Sequence, residues 1–167
     1  MRYFIIMLVL SFIVIGCSKK NADDYLKSAE DNLKNNKVQE AVSELEGFMS
    51  EYAEHEKAPE VLAKLASVYQ NRMIKNIPEQ ESLLKAVEFY KKVFMEYPKS
   101  TLAPTSLFMS GFILANELKK FDAAKTQYEL FLEKFPKHEL AESAREELKN
   151  LGLSPEEILK NKTSPSI

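Results

Sequence analysis

Apolar residues are arranged in two ways along this chain. From Tyr3 to Ile15 they form one block, broken only by Ser11. From Ala22 onward they recur every three or four residues. Leu83, Ala86, Val87, Tyr90, Val93, Phe94 and Tyr97 trace one stripe, the spacing of a helix that buries a single face. Val38, Ala41, Leu45, Phe48 and Tyr52 have the same offsets, as do Phe121, Ala124, Tyr128, Phe131 and Phe135. The pattern predicts helices near 22–35, 38–53, 57–75, 79–97, 101–118, 121–135 and 138–150. Asn35-Asn36-Lys37 and Lys119-Lys120 are short enough to make successive helices antiparallel neighbours. Gly152 reads as a helix stop. Ser154-Pro155 reads as the cap and first position of a last short helix, with Thr163 to Ile167 frayed.

The three stripes agree beyond their apolar positions. Aligned on Ala41, Ala86 and Ala124, they carry Leu45, Tyr90 and Tyr128 four residues on, and Tyr52, Tyr97 and Phe135 eleven on. Pro98 and Pro136 follow, with Ala53 at the matching place in the first copy. Five residues further stand Ala58, Ala103 and Ala141, the first two followed by Pro59 and Pro104. The aligned alanines lie 86 − 41 = 45 and 124 − 86 = 38 residues apart, inside the range of periods that marks a solenoid. A proline after the aromatic ends a helix. A second proline suits the first turn of the next one, where a missing N–H costs nothing. A single helix pair cannot bury its own apolar face, whereas stacked pairs share a continuous core.

The other apolar block has a different meaning. Arg2 precedes it and Gly16-Cys17 closes it: a positive start, an apolar centre and a small residue at the cut, as in a secretory signal. The block is shorter than the roughly 20 apolar residues that span a bilayer. Val14-Ile15-Gly16-Cys17 resembles the lipobox of bacterial lipoproteins. The resemblance implies that residues 1–16 are removed and that Cys17 becomes the lipidated first residue, with 17–21 as a polar tether. A diacylglycerol thioether plus an N-acyl chain, as the resemblance implies, exceeds the two chains that stable anchoring requires. Ser18 follows, where an aspartate would act as an inner-membrane retention signal, so the expected location is the outer membrane, facing the periplasm.

Composition narrows the function classes. Hydrophobic content of 45% and charged content of 29% suit one domain with a buried core. A net charge of −2 with the signs interspersed offers no basic stripe for nucleic acid. The only cysteine is Cys17, so neither an internal disulfide nor a free thiol nucleophile is expected. His55 and His138 are the only histidines; they fall at nearly equivalent points of two repeats and read as solvent-facing loop residues, not metal ligands. The carboxylates sit on polar helix faces beside lysines, as in Glu81–Lys85 and Glu88–Lys92. No phosphate-cradling glycine loop, nucleophile elbow or zinc-helix motif occurs. No enzyme activity, cofactor or metal is expected.

Ala86…Tyr90…Val93…Pro98 and Ala124…Tyr128…Phe131…Pro136 look like the second helix of a tetratricopeptide repeat. Tyr25…Ala29, Ala66…Tyr69 and Gly111 match its first helix, where small residues fit a tight crossing. The likeness covers residues 22–152 and departs from the pattern in three respects. The periods exceed the usual ~34 residues, Ala53 replaces a proline, and Arg72 to Ser82 reads as an insertion. The expected fold is all-α: about three antiparallel helix pairs and a C-terminal capping helix, with 153–167 a short helix and tail. The family's geometry places Ser67, Gln70, Asn71, Phe108, Phe112 and Asn116 on a concave, partner-binding face. Phe108 and Phe112, one helical turn apart, would anchor an apolar peptide side chain there, or else pack under the neighbouring repeat.

The resemblance thus implies a membrane-anchored protein–protein interaction scaffold of the bacterial envelope, its partners being envelope proteins or peptide segments. Residues 128–152 look like the C-terminal part of the Tol–Pal-associated periplasmic coordinator family. The anchor and repeats look more like the lipoprotein subunit of the outer-membrane barrel-assembly machine, which has about five repeats. The first likeness points to envelope and wall coordination, the second to outer-membrane protein assembly. A solute- or lipid-binding protein using the helical cleft is the competing class.

Overall fold

The computed structural model describes residues 20–163, with side chains to residue 160. The signal, Cys17 and the last four residues of the tail lie outside the described residues. Within them the chain forms α1 (Ala22–Lys34), α2 (Val38–Glu51), α3 (Ala58–Gln70), α4 (Glu79–Glu96), α5 (Ala103–Phe112), a π-helical turn (Ile113–Glu117), α6 (Phe121–Lys134), α7 (Ala141–Asn150) and α8 (Pro155–Thr163). Helices α1 and α2, α3 and α4, and α5 with α6 form three pairs. Each helix packs chiefly on those next to it in sequence. Helix α7 packs on α6 and closes the stack, so the expected solenoid is the observed fold.

The core is the set of stripes that the periodicity traces. Ala41, Leu45 and Phe48 of α2, Ala86 and Val93 of α4, and Ala124, Tyr128 and Phe131 of α6 are buried along it. Fully burying each large apolar side chain contributes about 1.5–3 kcal/mol. Small residues mark the crossings inside the pairs. A Cβ added at Gly111 would lie 3.0 Å from a Tyr128 ring carbon, and one at Gly47 would lie 2.7 Å from the Tyr25 ring. Buried polar groups are matched: Ser82 Oγ donates to the Tyr69 carbonyl at 2.6 Å, and Ser110 Oγ to that of Leu107 at 2.7 Å.

Helix ends follow local chemistry. Asn21 and Asp24 form a reciprocal capping box at the start of α1. Ser154 and Glu157 form the same arrangement before α8, whose first residue is Pro155. Pro59 and Pro104 occupy the first turns of α3 and α5. Two elements differ from the sequence reading. Helix α3 stops at Gln70, five residues short of the predicted 75, because Arg72 takes a left-handed φ of 52° that a helix cannot continue. The predicted 101–118 helix is α for only ten residues and then widens, Leu118 N–H bonding to the Ile113 carbonyl at 2.9 Å. Ile113, Leu114 and Ala115 are all buried, so their apolar run carries no periodic trace of the change in winding.

Candidate partner-binding face

The expected binding residues lie on α3, α5 and the π turn, the first helices of the second and third pairs. Ser67 on α3 and Asn71, which caps that helix, are exposed and tied together, Asn71 Nδ2 donating to the Ser67 carbonyl at 2.8 Å and to its Oγ at 3.2 Å. Gln70 is half-buried and its Oε1 accepts from the Tyr90 hydroxyl at 3.0 Å. These three therefore present amide and hydroxyl groups fixed by their own helix and by α4.

The two phenylalanines part company. Phe108 is buried, its ring 5.6 Å from that of Tyr128 and 5.8 Å from that of Phe131. Its place is the core of the third pair, with its ring packed on those two. Phe112 is half-buried and packs against the core from outside, so it keeps an accessible edge. Asn116 is exposed, and its Nδ2 donates to Glu147 of α7 at 3.2 Å.

The periodicity does not reveal that this face is stitched from one pair to the next by side chains. Arg72 donates to Glu79 at the start of α4 and to Glu117 at the end of the π turn, both at 2.8 Å. Those carboxylates hold the Arg72 guanidinium above its ordinary pKa, the bond to Glu79 first. Glu147 receives Asn116 and also the Tyr128 hydroxyl at 3.4 Å. Burial and the Glu147 charge push the Tyr128 phenol far up, so it remains a donor. Contacts 45 and 31 residues apart in sequence left no local signal to find.

The histidines are not the free loop residues that the sequence suggests. Each is half-buried. His55 stands edge-on to Phe48 at 5.6 Å and His138 edge-on to Phe131 at 5.7 Å. Their Nδ1 atoms accept the Lys57 and Leu140 backbone N–H groups, each at 3.2 Å. Ser100 Oγ does the same for Leu102 at 3.2 Å. All three close the turns between pairs. The equivalence in sequence was the clue, and the serine in the middle copy concealed it.

Among the described residues, no group of three His, Cys, Asp or Glu side chains could hold a metal ion. Nor is any helix there long and apolar enough to cross a membrane. A cavity of about 780 Å³ opens between the 53–60 and 96–102 segments, where α2 gives way to α3 and α4 to α5.

Paired helices, small residues at their crossings and aromatic-ended turns define a helical repeat protein. More particularly, the tetratricopeptide repeat family matches residues 105–138, which span most of α5, the π turn, α6 and the turn to His138. The match is to that one stretch, and the other pairs have the same helix–turn–helix architecture. No curated protein matches the sequence. Tetratricopeptide repeats generally mediate binding to protein partners, and the matched repeat is an interaction module of that kind.

Proposed function

We propose that the chain is a lipid-anchored interaction scaffold of the bacterial cell envelope, held through Cys17 at the outer membrane and facing the periplasm. The observation that carries this reading is a solenoid of interaction repeats beginning at Ala22, five residues after Cys17 of a lipobox-like sequence. The tether between them, residues 18–21, reaches at most about 14 Å when extended. Partners would be proteins at that membrane, bound with the effective concentration that confinement to a surface supplies. The two pathways that the sequence resembles, outer-membrane barrel assembly and Tol–Pal-linked wall coordination, are the processes it would serve.

Crosslinking in the native envelope, capture by an affinity tag and mass spectrometry test the scaffold. Enrichment of barrel-assembly components, or of Tol–Pal and wall-synthesis components, supports it and selects between the pathways. Recovery of the chain alone at good yield refutes it. Palmitate labelling tests the anchor: the label is expected on the native chain and lost in Cys17→Ser, and an unlabelled native chain overturns the assignment.

A further inference from the structure

The segment that joins Cys17 to the solenoid is fastened before α1 begins. Lys20 is held at three points. Its carbonyl accepts from the Tyr52 hydroxyl at 2.8 Å, its Nζ donates to Glu44, and the same Nζ lies 4.7 Å from the centre of the Tyr25 ring. Glu44 is set in turn by Ser28, whose Oγ donates to it at 3.0 Å. The Tyr52 ring stands 6.2 Å from that of Tyr25 and 5.8 Å from that of Phe48. Asn21, the next residue, caps α1. Only Ser18 and Lys19 remain between Cys17 and this latch, so the Cys17 and Lys20 Cα atoms lie at most about 11 Å apart.

The net charge of the chain is concentrated on the same pair. Residues 22–51 carry eight Asp and Glu against three Lys, a net −5, whereas residues 52–167 carry seventeen Asp and Glu against seventeen Lys and Arg. An anionic membrane surface repels a flank of that charge over about a Debye length, ~10 Å in ordinary salt. At the end beside the anchor, cations offset it: Lys20 sits on Glu44, and Lys57 lies 3.5 Å from Asp23. The short link keeps the pair at the surface, and the charge of its flanks turns them away from it.

We infer that the Lys20 latch orients the molecule on its membrane. The end of the first pair around Lys20 and Tyr52 faces the phospholipid headgroups. The Asn36 turn stands about 20 Å further out, the length of the 13-residue α1. The inference rests on the reading of Cys17 as a lipid anchor, and it adds which end of the first pair is left open to partners.

A thioether at Cys17 consumes its sulfur, so one introduced cysteine carries the only thiol of the lipidated chain. The full lipidated chain is placed in nanodiscs of phosphatidylcholine and phosphatidylglycerol whose headgroups carry a nitroxide. A fluorophore is attached at Ala53→Cys, beside Tyr52, or at Gln39→Cys, near the Asn36 turn; both positions are exposed. Quenching should be about twofold or more stronger at 53 than at 39, given the length of α1. Equal quenching, or stronger quenching at 39, overturns the orientation. Lys20→Ala combined with Tyr52→Phe, which keeps the ring and removes the hydroxyl, should at least halve the difference. Lys27→Ala, an exposed lysine of α1 outside the latch, should preserve it. Equal effects of the two variants overturn the role of the latch. Palmitate labelling judges the anchor separately: a labelled chain with equal quenching refutes the orientation alone, and an unlabelled chain refutes both.

Discussion

The two edges of this solenoid are built on different rules. At the edge between pairs, α2, α4 and α6 end on Tyr52, Tyr97 and Phe135 with φ of −132°, −127° and −130°. Three residues on, His55, Ser100 and His138 bond back to them, at 3.0, 2.9 and 3.1 Å. Each then accepts a backbone N–H two residues ahead. At the opposite edge, Asn36, Arg72 and Lys119 take left-handed φ of 57°, 52° and 54°. The segments that follow differ: three residues separate α1 from α2, eight separate α3 from α4, and a π turn precedes α6. One edge is the same device throughout, whereas the other starts each time from a left-handed residue and continues in three different ways. The stacking of pair on pair depends on the first, and that is where length cannot vary. The 45-residue period is absorbed at the second, by the 71–78 segment and by an α4 of 18 residues against 14 in α2 and α6.

This contrast can be broken at its strongest point. Phe131 is fully buried and touches Phe108, Phe135 and His138. Phe131→Ala should cost about 3–5 kcal/mol, read as the shift in a urea unfolding midpoint. Met73→Ala, at a partly exposed site on the variable edge, should stay within about 0.5 kcal/mol. Equal losses would erase the distinction between the edges. The cap can then be isolated from the packing. His138→Ala should cost about 0.5–2 kcal/mol, and His138→Ser should recover part of it, because Ser100 makes the same bond in the middle copy. If serine does no better than alanine, the ring contact with Phe131 matters and the Nδ1 bond does not. The smallest effect has the opposite sign. Lys119 carries left-handed strain, and Lys119→Gly should raise thermal stability by a few tenths to about 1 kcal/mol. A loss there would mean that the lysine side chain contributes more than its backbone strain removes.

The same contrast explains what was legible in the sequence. Alanines, aromatics and prolines recur at fixed offsets because the invariant edge and the tight crossings demand particular sizes and angles, so the number and pairing of helices could be read directly. Left-handed positions held by arginine and lysine in place of glycine carry no compositional mark, and α3 was therefore read five residues too long. The candidate face was legible only in part. Helical offsets placed Ser67, Asn71 and Asn116 on exposed positions, but spacing cannot tell Phe108, turned onto Tyr128, from Phe112, which keeps an outer edge. The links from Arg72 to Glu117 and from Asn116 to Glu147 join residues that meet only once the pairs have stacked.

Packing chiefly between helices adjacent in sequence also decides how the molecule would yield to force. Few contacts tie the first pair directly to the last, so tension applied across its ends loads one interface after another. Rupture of one pair need not release the rest. A scaffold of this kind lengthens in steps instead of failing at once, and each released pair can refold against its neighbour, because the contacts it needs lie close by along the chain.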